Sequence, residues 1–563
     1  MGMKQKLLNL GILSFLILAA CLCLLPTPVE AMTGTGTIGD PFIISTPADL
    51  DDVRDNLTAY YELGADIDLG SWGNWDPIGV ESWEGLTFQG HFDGKGHTIS
   101  NLAASGTDHQ GLFGVIGDGA VLMGITMTGV AVTATGDFAG GLVGECDCPF
   151  GESWVVTISD CHVQGMISGE EAVGGLVGFF EEGIVEDCST DVAITSTSWN
   201  TGGLIGGVDS FETVGTIIRR CHAEGTITAG YDSAGGLIGW VEDGQVEDCW
   251  ADVDIISAGD FAGGLIGWLD QGMGDTTGFK VERCYALGDV TCTDAAGGFI
   301  GWDTGRAVSE CFSMGDVVIT GTGASNAGGF TSVFEPTMSE TSYIENCYSK
   351  GDVDASVCAD VYGVGGFVGW NWADTWMGNE YSPTVRNCYS TGVVLVGAGS
   401  VDDYGGFCGV QDSDGFALAT IDSCFWDNMT SAVAFDGNSY GGIGVALGKT
   451  TSLMKTESTF TTDNWDFTTI WCMPDAIDND GYPILQNVLP AGLGWTCYVP
   501  YSGNPAAMFE TYKQVTGSGK PLWYQALPSI LKLLYVGFIL LMAVAELRSK
   551  PKNQFPTLPD VKV

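Results

Sequence analysis

Residues 235–239, Gly235-Gly236-Leu237-Ile238-Gly239, followed at once by Trp240, decide how the rest of the chain is read. The same Gly-Gly-apolar-apolar-Gly word begins at Gly140, Gly174, Gly202, Gly263, Gly297 and Gly365. It varies at Gly405, degenerates at Gly328, and has a shorter forerunner in Gly111-Leu112-Phe113-Gly114. Successive copies lie between 28 residues (Gly174 to Gly202) and 40 residues (Gly365 to Gly405) apart. A unit of that length, repeated about ten times, buries its apolar face only by stacking on its neighbours, which makes the array a solenoid.

A second element keeps step with the first. Cys161, Cys188, Cys221, Cys249, Cys284, Cys311, Cys347, Cys388 and Cys424 occur once per coil, often with glycine four residues on, as at Gly165, Gly225, Gly288, Gly315, Gly351 and Gly392. Six residues after the cysteine stands Ile or Val: Ile167, Ile194, Ile227, Ile255, Val290, Val317, Val353 and Val394. Residues an even number apart on a strand share a face, so both slots point inward, and the glycine marks a bend. Each coil then has about three short strands. In the first coil Ile125 holds the cysteine's slot, with Gly129 four residues on, so the slot accepts a plain hydrophobe. The nine cysteines therefore read as a structural core of small buried thiols rather than as a disulfide framework. Equivalent Cα atoms in stacked coils lie about 4.8 Å apart, within bridging range, which leaves cross-coil bonds open. Cys472 and Cys497, outside the array, are the better disulfide candidates.

Composition agrees with a packed, exported protein. Of 563 residues 84 are glycine, without a collagen period, and 45% are hydrophobic. Lys4 and Lys6, the apolar stretch Leu7–Leu25 and Val29-Glu30-Ala31 as the cleavage site read as a secretory signal over residues 1–31. Leu18-Ala19-Ala20-Cys21 offers the rival reading of a lipidated Cys21. Near the other end Trp523 and Tyr524 precede an apolar run, and Arg548, Lys550 and Lys552 follow it. That pattern predicts one membrane-spanning helix over 523–546, with 547–563 in the cytoplasm and the bulk of the chain outside the cell. The net charge of −50 repels nucleic acid, which is excluded as a partner.

The repeats resemble the GLUG motif, named for its Gly-Leu-apolar-Gly core, which is found in bacterial surface proteins and beside the peptidase domain of IgA-specific metallopeptidases. The resemblance runs from about residue 36 to 487. It includes the opening Asp40-Pro41-Phe42-Ile43-Ile44, the segment Phe92-Asp93-Gly94-Lys95-Gly96-His97-Thr98-Ile99, and the close Gly481-Tyr482-Pro483-Ile484-Leu485. It implies an all-β, parallel β-helix-like solenoid, where periodicity alone implies only a solenoid. Residues 32–108 form an N-terminal cap and first strands, 109–447 the repeats, 448–500 a closing region and 501–522 a spacer. Thr46 as N-cap, Pro47 at the first helical position, and Leu50, Val53 and Leu57 on one face predict a short helix over the open end.

Chemistry-bearing motifs are thin. The histidines at 91, 97, 109, 162 and 222 have no HExxH spacing, and neither GxSxG nor GxxxxGK[ST] occurs. One thiol per coil gives no tetrahedral zinc set. No catalytic residue, metal or cofactor is assigned; Asp187, Asp248 and the pair Glu181-Glu182 read as strand-end and turn residues. The informative feature is length variation, which gathers between the last glycine of each core and the next cysteine, one corner of the coil. The longest such insertion carries Trp370, Trp372, Asp374, Trp376 and Tyr381, aromatics and a carboxylate suited to stacking on sugar rings and hydrogen-bonding hydroxyls. Trp240, Trp268, Trp302 and Trp370 each follow a core directly and are expected to form a structural column. The reading is a cell-surface, adhesin-like or stalk protein with a surface glycan or protein as ligand; the alternative is a self-associating envelope component, and a glycan-cleaving enzyme stands third.

Overall fold

The structure, a computed structural model, describes residues 32–490, Leu493 and Trp495, apart from short internal stretches that fall mostly at the variable corner. The chain divides into two compact units between Trp465 and Asp466. The segments read as a signal, as a lipidated Cys21 and as a membrane helix lie outside the described residues. Among the described residues no helix is long and apolar enough to cross a membrane.

One coil shows how the repeat folds. Gln245–Glu247 forms a first face, Trp250–Ser257 a second, Ala262–Gly263 a third and Ile266–Leu269 a fourth. Each pairs in parallel with its counterparts in the coils before and after, so four sheets run along the stack of coils rather than the three strands per coil expected. Alternation along the second face is strict: Ala251, Val253 and Ile255 are buried while Asp252 and Asp254 face solvent. From the coil of Cys284 onward this long strand splits in two, as at Tyr285–Ala286 and Val290–Cys292, around the glycine of the sequence pattern.

The glycine word has a steric cause at each position. A Cβ on Gly235 would lie 1.8 Å from the carbonyl oxygen of Ile238, three residues on at the corner between the third and fourth faces. A Cβ on Gly236 would meet the Gly264 carbonyl of the next coil at 2.1 Å, and one on Gly239 the Gly206 carbonyl of the previous coil at 2.5 Å. The corner is thus closed on itself and against both neighbours. Leu237, between these glycines, is wholly buried, and its counterparts become Phe299, Phe330, Phe367 and Phe407, a column of stacked rings 4.6 to 4.8 Å apart.

The nine repeat cysteines are buried with free thiols, and Ile125 is wholly buried in the slot before them. Each Sγ points to the carbonyl two residues back, as Cys249 to Glu247 at 3.2 Å. Burial pushes the thiols of Cys188, Cys249, Cys284, Cys347 and Cys424 well above the ordinary cysteine range. Outside the array Cys472 is disulfide-bonded, while Cys497 lies outside the described residues.

The ends are closed by different means. Phe42–Ile44, Tyr60–Leu63 and His91–Asp93 are the first three rungs of the first face, so the N-terminal region is itself solenoid. The helix Pro47–Asp51, continued by a 3-10 turn over Asp52–Asp55, buries Leu50 and Val53. Its capping box is complete: the Asp49 amide donates to Thr46 Oγ1 at 3.2 Å and the Thr46 amide to Asp49 Oδ2 at 2.9 Å. At the other end the helices Thr451–Met454 and Glu457–Thr461 set Phe460 edge-on to Phe425 at 5.3 Å. Trp465 donates from Nε1 to the Ser423 carbonyl at 2.9 Å. Beyond Trp465, the second unit contains the antiparallel pair Trp471–Cys472 and Ile484–Leu485.

Cations collect on the first face. Arg219 and Arg220 reach Glu186 at 2.7 and 2.8 Å, Arg220 also reaches Asp187, Lys280 reaches Glu247 at 3.0 Å, Arg283 reaches Asp248 at 2.6 Å, and Arg386 pairs with Glu345. Asp187 and Asp248 sit at φ 55° and 56°, just before the cysteine, as turn residues clamped across coils.

Candidate functional site

The outward column of the fourth face passes through Glu145, Phe179, Gly207, Trp240, Trp268, Trp302, Val333, Trp370 and Val410. The expected four-tryptophan column is therefore three in succession, with Val333 separating Trp302 from Trp370. Trp268 and Trp302 stack at 5.0 Å and 13°, and Phe261, a turn residue at φ 57°, packs on Trp302 at 4.5 Å. All three indoles are half-buried, and Trp268 and Trp302 bear on each other, as expected of a structural column.

Trp370 differs. Its partner is Trp372, two residues along the same strand and so on the same face, with ring centroids 4.9 Å apart and planes 4° off parallel. The insertion is a strand, Val368–Trp376, which turns back as Asn379–Tyr381. Residues 371–373 keep pairing with Gln411–Ser413 of the next coil, and beyond them Asp374, Thr375 and Trp376 pair antiparallel with Tyr381, Glu380 and Asn379. Backbone pairing on both sides holds the segment to the sheet. Tyr381 is thereby folded in and only 5% exposed, so it is not open to a ligand. Asp374 stays half-exposed and caps the Thr375 amide at 2.7 Å.

A residue not singled out by the sequence joins the group. Glu335, which follows the strand Thr331–Phe334 one coil earlier, is pushed up to about 7 by burial and then by the charge of Asp374. Its position two residues after Val333 is the only signal, since the sequence shows nothing else to mark it out. Two stacked indoles flanked by two carboxylates can hold a ring and accept hydrogen bonds from hydroxyls. Among the described residues no group of three or more His, Cys, Asp or Glu side chains is placed to hold a metal ion.

Residues 360–395, which span this coil, match the family described as the GLUG motif. This coil carries the GLUG motif. The repeat's glycine corner and the fourth-face strand that bears Trp370 lie within the matched stretch. Halomucin of Haloquadratum walsbyi is 35% identical over 162 residues, 26% of this chain and 2% of halomucin. A provisionally named Gly-rich membrane protein of Evansella cellulosilytica is 36% identical over 112 residues, 18% of this chain and 13% of that protein. Immunoglobulin A1 protease of Streptococcus pneumoniae is 27% identical over 215 residues, 35% of this chain and 10% of the protease. The chain thus matches only a small part of the length of each of these relatives.

Proposed function

We propose that this GLUG-repeat solenoid is a cell-surface protein whose hairpin edge, Val368–Tyr381, binds a surface glycan. The carrying observation is the parallel pair Trp370 and Trp372 on the outer face beside Asp374 and Glu335. Such a pair offers a flat apolar platform next to hydrogen-bond acceptors, the combination that suits a pyranose. The names of the relatives, a halomucin and a membrane protein, support a surface location, as does an acidity that favours solubility over nucleic-acid or anionic-membrane contact. The test is a glycan array probed with the full chain and with Trp372→Ala. Binding that the substitution weakens at least about tenfold supports the reading, because losing a stacked anchor costs roughly 1–2 kcal/mol. Equal binding by both proteins removes the hairpin from consideration.

One observation favours the self-association alternative. Tyr440, Ile443, Val445 and Leu447, on the last rungs, are 54, 50, 55 and 45% exposed. Exposed apolar side chains gathered beside the capping helices suit contact with further copies. A mass that rises with concentration in light scattering, and falls back on Ile443→Lys, would move the function toward an envelope scaffold.

A further inference from the structure

On the second face the register lines up the residues after the cysteines as Thr126, His162, Ser189, His222 and Trp250, which are half-buried, then Tyr285, Phe312, Tyr348 and Tyr389, which are buried. From His222 onward every member is a ring. His222 and Trp250 stack at 4.4 Å and 6°, Trp250 and Tyr285 at 5.8 Å and 1°, Tyr285 and Phe312 at 5.0 Å and 4°. Phe312, Tyr348 and Tyr389 continue at 4.7 and 5.0 Å. His162 is also a ring, and between it and His222 stands Ser189. The ladder is short of one rung there.

The gap has the dimensions of what is missing. Its walls are two coils apart, about 9.6 Å, which leaves room for one ring stacked on both sides at the ladder's own spacing. A cavity of about 190 Å³ opens at this place, lined by His162, Gln164, Ser189, Asp191, His222 and Glu224 among others. Ser189 Oγ fixes His162 through Nδ1 at 2.7 Å, the other ring nitrogen lies 3.4 Å from Asp160, and Gln164 donates to Asp191 at 2.9 Å. Trp250 holds the far face of His222, so the imidazole presents its near face to the gap.

We propose that the gap at Ser189 is a subsite for a single uncharged pyranose ring, seated between His162 and His222 with its hydroxyls donating to the Asp191 and Glu224 carboxylates. The rim supplies acceptors and so calls for a ligand rich in donors. An apolar aromatic would strip water from those carboxylates and return nothing, and an anion would be repelled by them and by a chain of net charge −50. The site lies on a different face of the coil from the hairpin and does not depend on it.

The test follows the histidine ring resonances of the full chain by NMR, assigned with His162→Gln and His222→Gln. The probes are the methyl glycosides of glucose, galactose, mannose and N-acetylglucosamine, with methylguanidinium as the cationic control. At least one glycoside is expected to shift both His162 and His222. Ser189→Tyr, which supplies the missing rung, is expected to weaken that response at least about tenfold, whereas Trp372→Ala leaves it unchanged. Tyrosine already occupies this slot at 285, 348 and 389, so the variant is expected to fold, and His222→Ala, which removes one wall, must give the same loss. The proposal is overturned if no glycoside shifts either histidine, if only methylguanidinium does, or if the response survives both substitutions.

Discussion

At the scale of single residues, the repeat is defined by what cannot be added to it. A methyl group on Gly235 has no room beside the Ile238 carbonyl, and backbone cannot move aside as a side chain can. Gly235→Ala is therefore expected to cost roughly 3 kcal/mol or more in urea unfolding, far beyond the effect of the same change at an open turn. The cysteine slot is the opposite case. Because Ile125 fills it without strain, Cys249→Val is expected to change stability by no more than about 1 kcal/mol. In the parent protein Cys161 to Cys424 should react with a thiol reagent only after denaturant is added. Ready reaction in the native state would refute the packed column. Both slots were legible in the sequence because they recur once per coil, and recurrence separates a structural demand from chance.

At the scale of elements, legibility declined as repetition stopped. The second-face strands and their inward Ile and Val were readable from spacing, but the fourth strand of each coil was not, since the Gly-Gly corner leaves only two paired residues on the third face. The hairpin was misread for a related reason. Its two arms occur once, so nothing in the sequence reveals that Tyr381 returns to pair with Asp374, or that Glu335 from the preceding coil joins them. Trp372→Ala should thus affect binding and leave the coil's melting transition nearly unchanged, since Trp370 keeps its place in the register. Val353→Asp is the contrasting change. Val353 is wholly buried, and an unpaired carboxylate there is expected to cost roughly 3 kcal/mol or more and to unfold the neighbouring coils with it.

At the scale of the whole molecule, acidity sets the response to pH. Burial raises Asp303 and Asp436 to about 7, and burial with neighbouring charge raises Glu335 to about 7 and Asp260 to about 6. In the unfolded chain these groups titrate near 4. Between roughly pH 4 and 7 the folded form therefore binds more protons than the unfolded one, and stability falls as pH rises through that window. Asp187, lowered by its hydrogen bond from Arg220, and Glu282, lowered by Lys280 and Arg283 against the effect of burial, act in the other direction below about pH 4.5, as do His91 and His222, lowered by burial, below about pH 6.5. The melting temperature is expected to be at least about 3 °C higher at pH 5 than at pH 7.5, and Asp303→Asn should flatten that slope. A melting temperature that rises toward pH 7.5 would contradict the protonated interior.

The clustering of Arg219, Arg220, Lys280, Arg283 and Arg386 on the first face has an effect beyond the clamps themselves. The whole sequence has only 20 basic residues against 70 acidic ones, so these five, each set against an acidic partner, make that side less negative than an even spread of the net charge would. In water of low ionic strength the coils should turn this less negative side toward any polyanionic matrix, a preference that fades once added salt shortens the screening length below about 10 Å.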